Sequence, residues 1–180
     1  LAANILTHNW IEGNPRTTWD GKPFPWFPVG YAADDDRDHH YMDWWDQIQN
    51  HPANMILAGR KHTKTTFADC LMIYRCEFNP GHTGLYWSNT KEQVKDRMVE
   101  FDEIVAANPW LDNLHGTDTA TFAKSYPNGA KLDTAWVTGA YEGGHVDTQI
   151  GDDPMKELGD IADDEVERWY GNVIVPTLNP

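Results

Sequence analysis

The chain is expected to fold as an α/β protein, a mostly parallel sheet covered by helices on both sides. Three observations predict this. Strand-like apolar runs alternate with segments of helical period along most of the chain. Met55-Ile-Leu-Ala-Gly-Arg-Lys-His-Thr-Lys-Thr-Thr66 passes from an apolar strand through a basic loop into a helix. About ninety residues later, His145-Val-Asp-Thr-Gln-Ile-Gly-Asp-Asp153 reads as a second short strand that closes on paired acids.

The elements follow in order. Residues 1–37 form an irregular arm rich in Pro, Gly and aromatic rings, with Pro15, Pro23, Pro25 and Pro28 beside Trp19, Phe24, Trp26 and Phe27; this composition disfavours regular structure. Residues 38–180 form the core. Asp34-Asp-Asp-Arg-Asp38 supplies acids for the positive end of a helix dipole, and that helix runs to about Asn50, where His51-Pro52 breaks it. Residues 53–58 are the first core strand, and a helix runs from Lys64 to about Cys76. Asn79-Pro-Gly81 turns the chain into a strand, Leu85-Tyr-Trp-Ser88. Thr90 caps the next helix, whose Val94, Met98, Phe101 and Ile104 recur at helical spacing until Pro109. Thr119–Ala123 and Lys131–Val137 read as a hairpin joined through Pro127-Asn-Gly129. The acidic strand spans 145–151, a last helix about 155–170, and Val173-Ile-Val175 opens a further segment.

Composition narrows the function classes. A chain of 180 residues fits one domain, of a size that buries roughly 70% of its unfolded surface. No apolar run approaches the roughly 20 residues of a membrane span, and the N-terminus lacks the pattern of a secretory signal. A start at Leu rather than Met reads as a fragment. Cys70 and Cys76 lie on one predicted helix, too far apart to bridge without unwinding it, which suits reduced thiols in a cytosolic setting. There are 28 acidic residues against 14 basic ones, a net charge of −14. That balance argues against a broad basic surface for nucleic acid. A high-salt cell reconciles such acidity with DNA handling, because concentrated salt screens Coulomb forces within a few ångströms. A halophilic source is the expectation. The eight His show neither i,i+4 pairs nor Cys pairing of a zinc site.

The basic loop carries the chemistry of phosphate binding. The usual nucleotide loop has Gly six residues before its Lys and immediately before it; here those positions hold Ala58 and Thr63. Gly59, Arg60, Lys61, His62, Thr63, Lys64, Thr65 and Thr66 nevertheless connect a strand to a helix start. Backbone amides there favour anions, Lys64 can reach the outer phosphates, and the Thr65 hydroxyl can hold magnesium. Two adjacent carboxylates at the C-terminal end of a parallel strand sit where such sheets bind ligands. Asp152 is the expected magnesium acid and Asp153 the acid that orients water. The fold expected is thus a P-loop NTPase, with ATP and Mg²⁺ as cofactors. Trp44-Trp45 suits core packing better than an adenine pocket.

The order of these segments resembles the ATPase domain of the large terminase subunit, the DNA-packaging motor of tailed viruses. Arg60 stands four residues before Lys64, as an Arg often does in that family, and Arg-Lys-His-Thr-Lys-Thr-Thr66 looks like its loop variant. Tyr86-Trp-Ser-Asn-Thr-Lys-Glu-Gln-Val94 resembles the segment after its second strand. Gly144-His-Val-Asp-Thr-Gln-Ile-Gly-Asp-Asp-Pro154 resembles its second acidic motif, in a form common among viruses of bacteria and archaea. Trp169-Tyr-Gly-Asn-Val-Ile-Val-Pro-Thr-Leu-Asn-Pro180 looks like the segment before its coupling motif.

The resemblance implies a RecA-like core and ATP-driven translocation of double-stranded DNA into a procapsid. It further implies a homo-oligomeric ring on the portal protein, a small terminase subunit as partner, and the host cytoplasm as location, with no membrane. Lys64, Arg60 and Asp153 carry over as catalytic residues, and Thr65 and Asp152 as metal contacts. No nuclease domain is expected in this segment. Where family members place an Arg upstream of the acidic strand, this chain has Glu142-Gly-Gly-His145; His145, Arg75 and Arg97 remain as weaker candidates for action on a neighbouring subunit. The alternatives are another translocase or helicase of the same loop class, and a non-catalytic assembly module.

Overall fold

The computed structural model describes residues 18–19, 22–23, 39–57, 64–108, 111–116, 118–141, 144–153 and 163–177. The chain divides into two compact units, Leu1–Cys70 and Leu71–Pro180. The first contains a minimal antiparallel pair, β1 (Thr18–Trp19) with β2 (Lys22–Pro23), then helix α1 (His39–Asn50). In α1, Trp45 is buried and Trp44 half-buried. Helix α2 (Lys64–Phe78) begins in this unit, and Phe67 in its first turns meets the Trp44 ring edge-on at 5.4 Å between centroids.

One expected strand is absent. Residues 53–57 form no strand, and Met55 and Leu57 are 84% and 86% exposed. A short apolar run becomes a strand only when a neighbour takes up its N–H and C=O groups. Here no ladder forms on it. The remaining member of that expectation, Ala58, lies outside the described residues, as does the arm apart from β1 and β2.

The second unit is built on the strand β3 (Thr83–Ser88). It pairs in parallel with β6 (Lys131–Trp136) on one side and with β7 (Thr148–Asp152) on the other. An antiparallel extension, β4 (Asp118–Ala120) and β5 (Ala123–Ser125), completes a five-stranded mixed sheet in the order β4-β5-β6-β3-β7. The α/β class is therefore as expected. The hairpin is not: the expected strand 119–123 is split by a turn at Thr121-Phe122, so a three-strand meander replaces two strands. The turn through Pro127-Asn-Gly129 does form, with Gly129 at φ +84° and Asn128 Oδ1 accepting from the Ala130 amide. A side chain at that φ would be strained.

Alternation along β3 assigns its two faces. Gly84 and Tyr86 face the helices: Gly84 lies against Met72 of α2, and Tyr86 packs edge-to-face on Phe101 of α3 (Lys91–Ala107). Val94, Met98, Phe101 and Ile104 of α3 are all buried, which is the stripe the sequence spacing predicts. Each such burial is worth about 1.5–3 kcal/mol. Leu85 and Trp87 face the opposite layer, where Ala135, Val137 and Val146 meet Val166 and Trp169 of α4 (Asp163–Trp169) and Ile174. After α4 the backbone widens into a π-turn, Tyr170–Ile174, and closes in a 3₁₀ turn, Val175–Thr177. The early part of the expected 155–170 helix lies outside the described residues.

Side-chain ties pin loops to the sheet. Buried Lys124 donates to both carboxylate oxygens of Asp102 at 2.7 Å, joining β5 to α3. Cys70 and Cys76 are free thiols, as the spacing predicts, and burial raises both, Cys76 to about 12. Such thiols are poor nucleophiles.

Gly151 sits opposite Trp87, and a Cβ there would come within 2.5 Å of the indole, which also packs against the rings of Trp169 and Tyr170. Gly151→Ala should therefore cost about 1–3 kcal/mol of stability by overpacking. Urea unfolding checks this; an unchanged midpoint would mean that the indole moves aside freely. Adding Trp87→Phe should recover part of the loss.

Candidate functional site

Parallel pairing brings three polar residues to one edge of the sheet. Ser88 ends β3, and its register partner in β7 is Asp152, the first of the paired acids. The Ser88 hydroxyl donates to the Asp152 carbonyl oxygen at 2.7 Å and lies 3.1 Å from Gln93 Oε1. The Gln93 side chain belongs to the start of α3. Thr90 caps that helix by accepting from the Gln93 amide at 3.2 Å, while Gln93 Oε1 accepts from the Thr90 amide at 3.3 Å. This reciprocal capping box satisfies two of the orphan amides of a helix start. The C-terminal ends of β3 and β7 and the N-terminus of α3 thus share one hydrogen-bonded cluster.

The acids themselves are held in uneven backbone. Asp152 closes β7 in extended form, whereas Asp153 has φ +44°, in the left-handed region that non-glycine residues seldom occupy and Asp tolerates better than most. Asp152 is half-buried and Asp153 exposed. Asn89, adjacent to Ser88, is buried at 5%, and its Nδ2 has no hydrogen-bond partner among the described residues.

Lys64, Thr65 and Thr66 open α2, all half-buried, in a first turn that carries no acid. A helix start carries the positive end of the helix dipole, which favours an anion beside it. The rest of the expected loop, Gly59, Arg60, Lys61, His62 and Thr63, lies outside the described residues. The helix start belongs to the first unit and the acid pair to the second, and each is a local arrangement. Also in the first unit, an open cleft of about 600 Å³ is lined by Trp44, Gln47, Ile48, His51, Asn54 and Ile56 among others. Trp45 is core, as expected, but Trp44 contributes to this cleft.

Of the three candidates for action on a neighbouring subunit, Arg97 is paired with Glu100 on α3, and His145 is exposed just before β7. Arg75 acts on His82, at the opposite edge of the sheet. That edge stands six residues of strand from Ser88, roughly 20 Å away.

Fit to a magnesium ion can be judged from the donors. Among the described residues no three His, Cys, Asp or Glu side chains come together. That excludes an all-protein cage there, yet magnesium usually keeps water and phosphate oxygens and takes only one or two protein ligands. Asp152 at a strand end and the Thr65 hydroxyl are donors of the right kind. Among the described residues no helix is long and apolar enough to cross a membrane. A scan of protein-family models finds no match for this chain, and no curated protein matches it.

Sequence reasoning missed Ser88 and Gln93, although Thr90 and Gln93 stand at capping-box spacing and could have been read as such. It also missed the pair at the far edge, where His82 Nδ1 lies 3.7 Å from Asp147 Oδ2 and Asp147 accepts from the Thr83 amide and hydroxyl at 2.8 and 2.9 Å. Burial lowers the His82 pKa from 6.5; Asp147 opposes that shift and Arg75 adds to it. The folded state therefore prefers neutral His82, while the unfolded chain takes up a proton near 6.5. Stability from this group is present above that pH and is lost as pH falls below it. His82→Gln should flatten the decline in melting temperature between about pH 7 and pH 5; an unchanged slope would show that other groups carry it.

Proposed function

We propose that this chain is a magnesium-dependent ATPase, the motor domain of a terminase large subunit that drives double-stranded viral DNA into a procapsid. The observation that carries the reading is the acid pair Asp152-Asp153 at the C-terminal end of a parallel strand. Open α/β sheets bind ligands at that edge. Further support comes from Lys64-Thr65-Thr66 at the start of a helix free of acids in its first turn, and from the ordered sequence segments that resemble the family.

In this reading the amides of the first turn of α2 donate to phosphate oxygens, and the Lys64 ammonium places a charge against the outer phosphates. Arg60 contacts the terminal phosphate, and Gly59, Lys61, His62, Thr63 and Thr66 complete the loop. Asp153 accepts a hydrogen bond from the attacking water and orients it in line. Asp152 and the Thr65 hydroxyl are the chain's oxygen donors to magnesium, which when bound neutralises charge on the phosphate oxygens. The half-buried Trp44 and its cleft suit the nucleotide base. The motor assembles as a ring on the portal protein, with the small terminase subunit as partner, in the host cytoplasm. The chain's net charge of −14 suits a halophilic host.

Phosphate release from ATP in magnesium, at low and at multimolar KCl, tests the reading. Lys64→Ala should lower turnover on the order of 10²–10³-fold, the usual cost of one donor that stabilises developing charge. Asp153→Asn should keep ATP binding, seen as a nucleotide-dependent rise in melting temperature, and lose hydrolysis. Undiminished hydrolysis by either variant removes that residue from the site. A wild-type chain that gains stability from nucleotide and never releases phosphate is instead a non-catalytic assembly module.

A further inference from the structure

Ser88 is 3% exposed and makes no contact with solvent that would account for a hydroxyl at this position. Its backbone is already committed: the Ser88 carbonyl accepts from the Val137 amide at 3.0 Å, and the residue is aligned with Trp136 on one side and Asp152 on the other. The hydroxyl carries one hydrogen. Two acceptors compete for that hydrogen, the Asp152 carbonyl at 2.7 Å and Gln93 Oε1 at 3.1 Å from the Ser88 oxygen, and the shorter distance favours the first.

The carbonyl oxygen of Asp152 belongs to the peptide unit that joins Asp152 to Asp153. That unit is planar, so holding its oxygen holds the amide and Cα of Asp153 as well. Asp153 follows at φ +44°, a conformation that a non-glycine residue leaves when nothing holds it there. Gln93 in turn is held by the capping box of α3. The chain of hydrogen bonds therefore runs from the start of α3, through Ser88, to the peptide between the two acids.

Resting on the ATPase reading above, we infer that Ser88 is a positioning residue for the acid pair: its hydroxyl, braced by Gln93, sets the peptide plane between Asp152 and Asp153. The relative placement of the two carboxylates then depends on a side chain of the neighbouring strand. Without the hydroxyl the plane turns, Asp153 relaxes toward negative φ, and its carboxylate leaves the place where it orients water. Alanine removes the donor and little else. Threonine keeps it and adds a methyl group.

Two readouts test this on the full chain. Turnover of Ser88→Ala should fall roughly 10- to 100-fold, the scale of a catalytic group displaced by about 1 Å, while KM for ATP stays within about twofold because the phosphate loop is untouched. Ser88→Thr should recover most of the rate. Backbone chemical shifts of the labelled chain supply the second readout: in Ser88→Ala the Asp153 shifts should leave the left-handed range, and in Ser88→Thr they should remain there. Wild-type shifts at Asp153 in Ser88→Ala, or wild-type kcat in that variant beside a dead Asp153→Asn, would overturn the inference and leave the ATPase reading standing. A wild-type chain without Asp153-dependent hydrolysis would overturn the catalytic role of the pair. The shifts would then show by themselves whether Ser88 sets the Asp153 backbone.

Discussion

Parallel pairing of β3 on both of its edges is the constraint on which the second unit depends. Six consecutive register pairs tie it to β6 and five tie it to β7. Because side chains alternate with a period of two, a slip of one residue would turn Leu85 and Trp87 toward the helices and Gly84 and Tyr86 toward α4. The same slip would separate Ser88 from Asp152. Packing and chemistry are thus locked by one set of backbone hydrogen bonds, and the apolar layers on the two faces hold that set in a single register.

The two ends of β3 have different characters for a reason rooted in this topology. At the N-terminal end the Asp147 carboxylate accepts from the Thr83 amide and hydroxyl, the His82 ring is buried beside it, and that burial favours neutral His82. At the C-terminal end the chain must leave the sheet and enter helices, so amides, caps and acids collect in one place. The Thr90–Gln93 capping box, the Ser88 hydroxyl and the Asp152-Asp153 peptide are neighbours because parallel strands end on the same side. Such a concentration of polar and charged groups is why ligand chemistry gathers at this edge of open sheets.

Much of this arrangement was readable from residues alone. The helical spacing of Val94, Met98, Phe101 and Ile104 predicts the buried face of α3, and Thr90 its start. Pro127-Asn-Gly129 predicts its turn, and the distance between Cys70 and Cys76 predicts free thiols. Lys64 marks the beginning of α2, and the paired acids mark the end of β7. Other elements were hidden because pattern is ambiguous over short spans. Residues 54–57 are as apolar as a strand yet lie unpaired, and residues 119–123 look continuous yet turn at Thr121-Phe122. The widened turn at Tyr170–Ile174 leaves no mark in periodicity.

The sequence by itself determined which residue types could do chemistry and which local elements could carry them. Spacing, caps and turn residues act over a few positions, and their physics is contained within those positions. What only the tertiary structure decided is adjacency: that Ser88 pairs with Asp152, that Gln93 braces the pair from a helix start, and that Gly151 makes room for Trp87. The first and the last of these contacts join residues more than sixty positions apart. Strand register sets such distances, and register arises from burying two faces of a sheet at once, a condition that no local segment can satisfy alone.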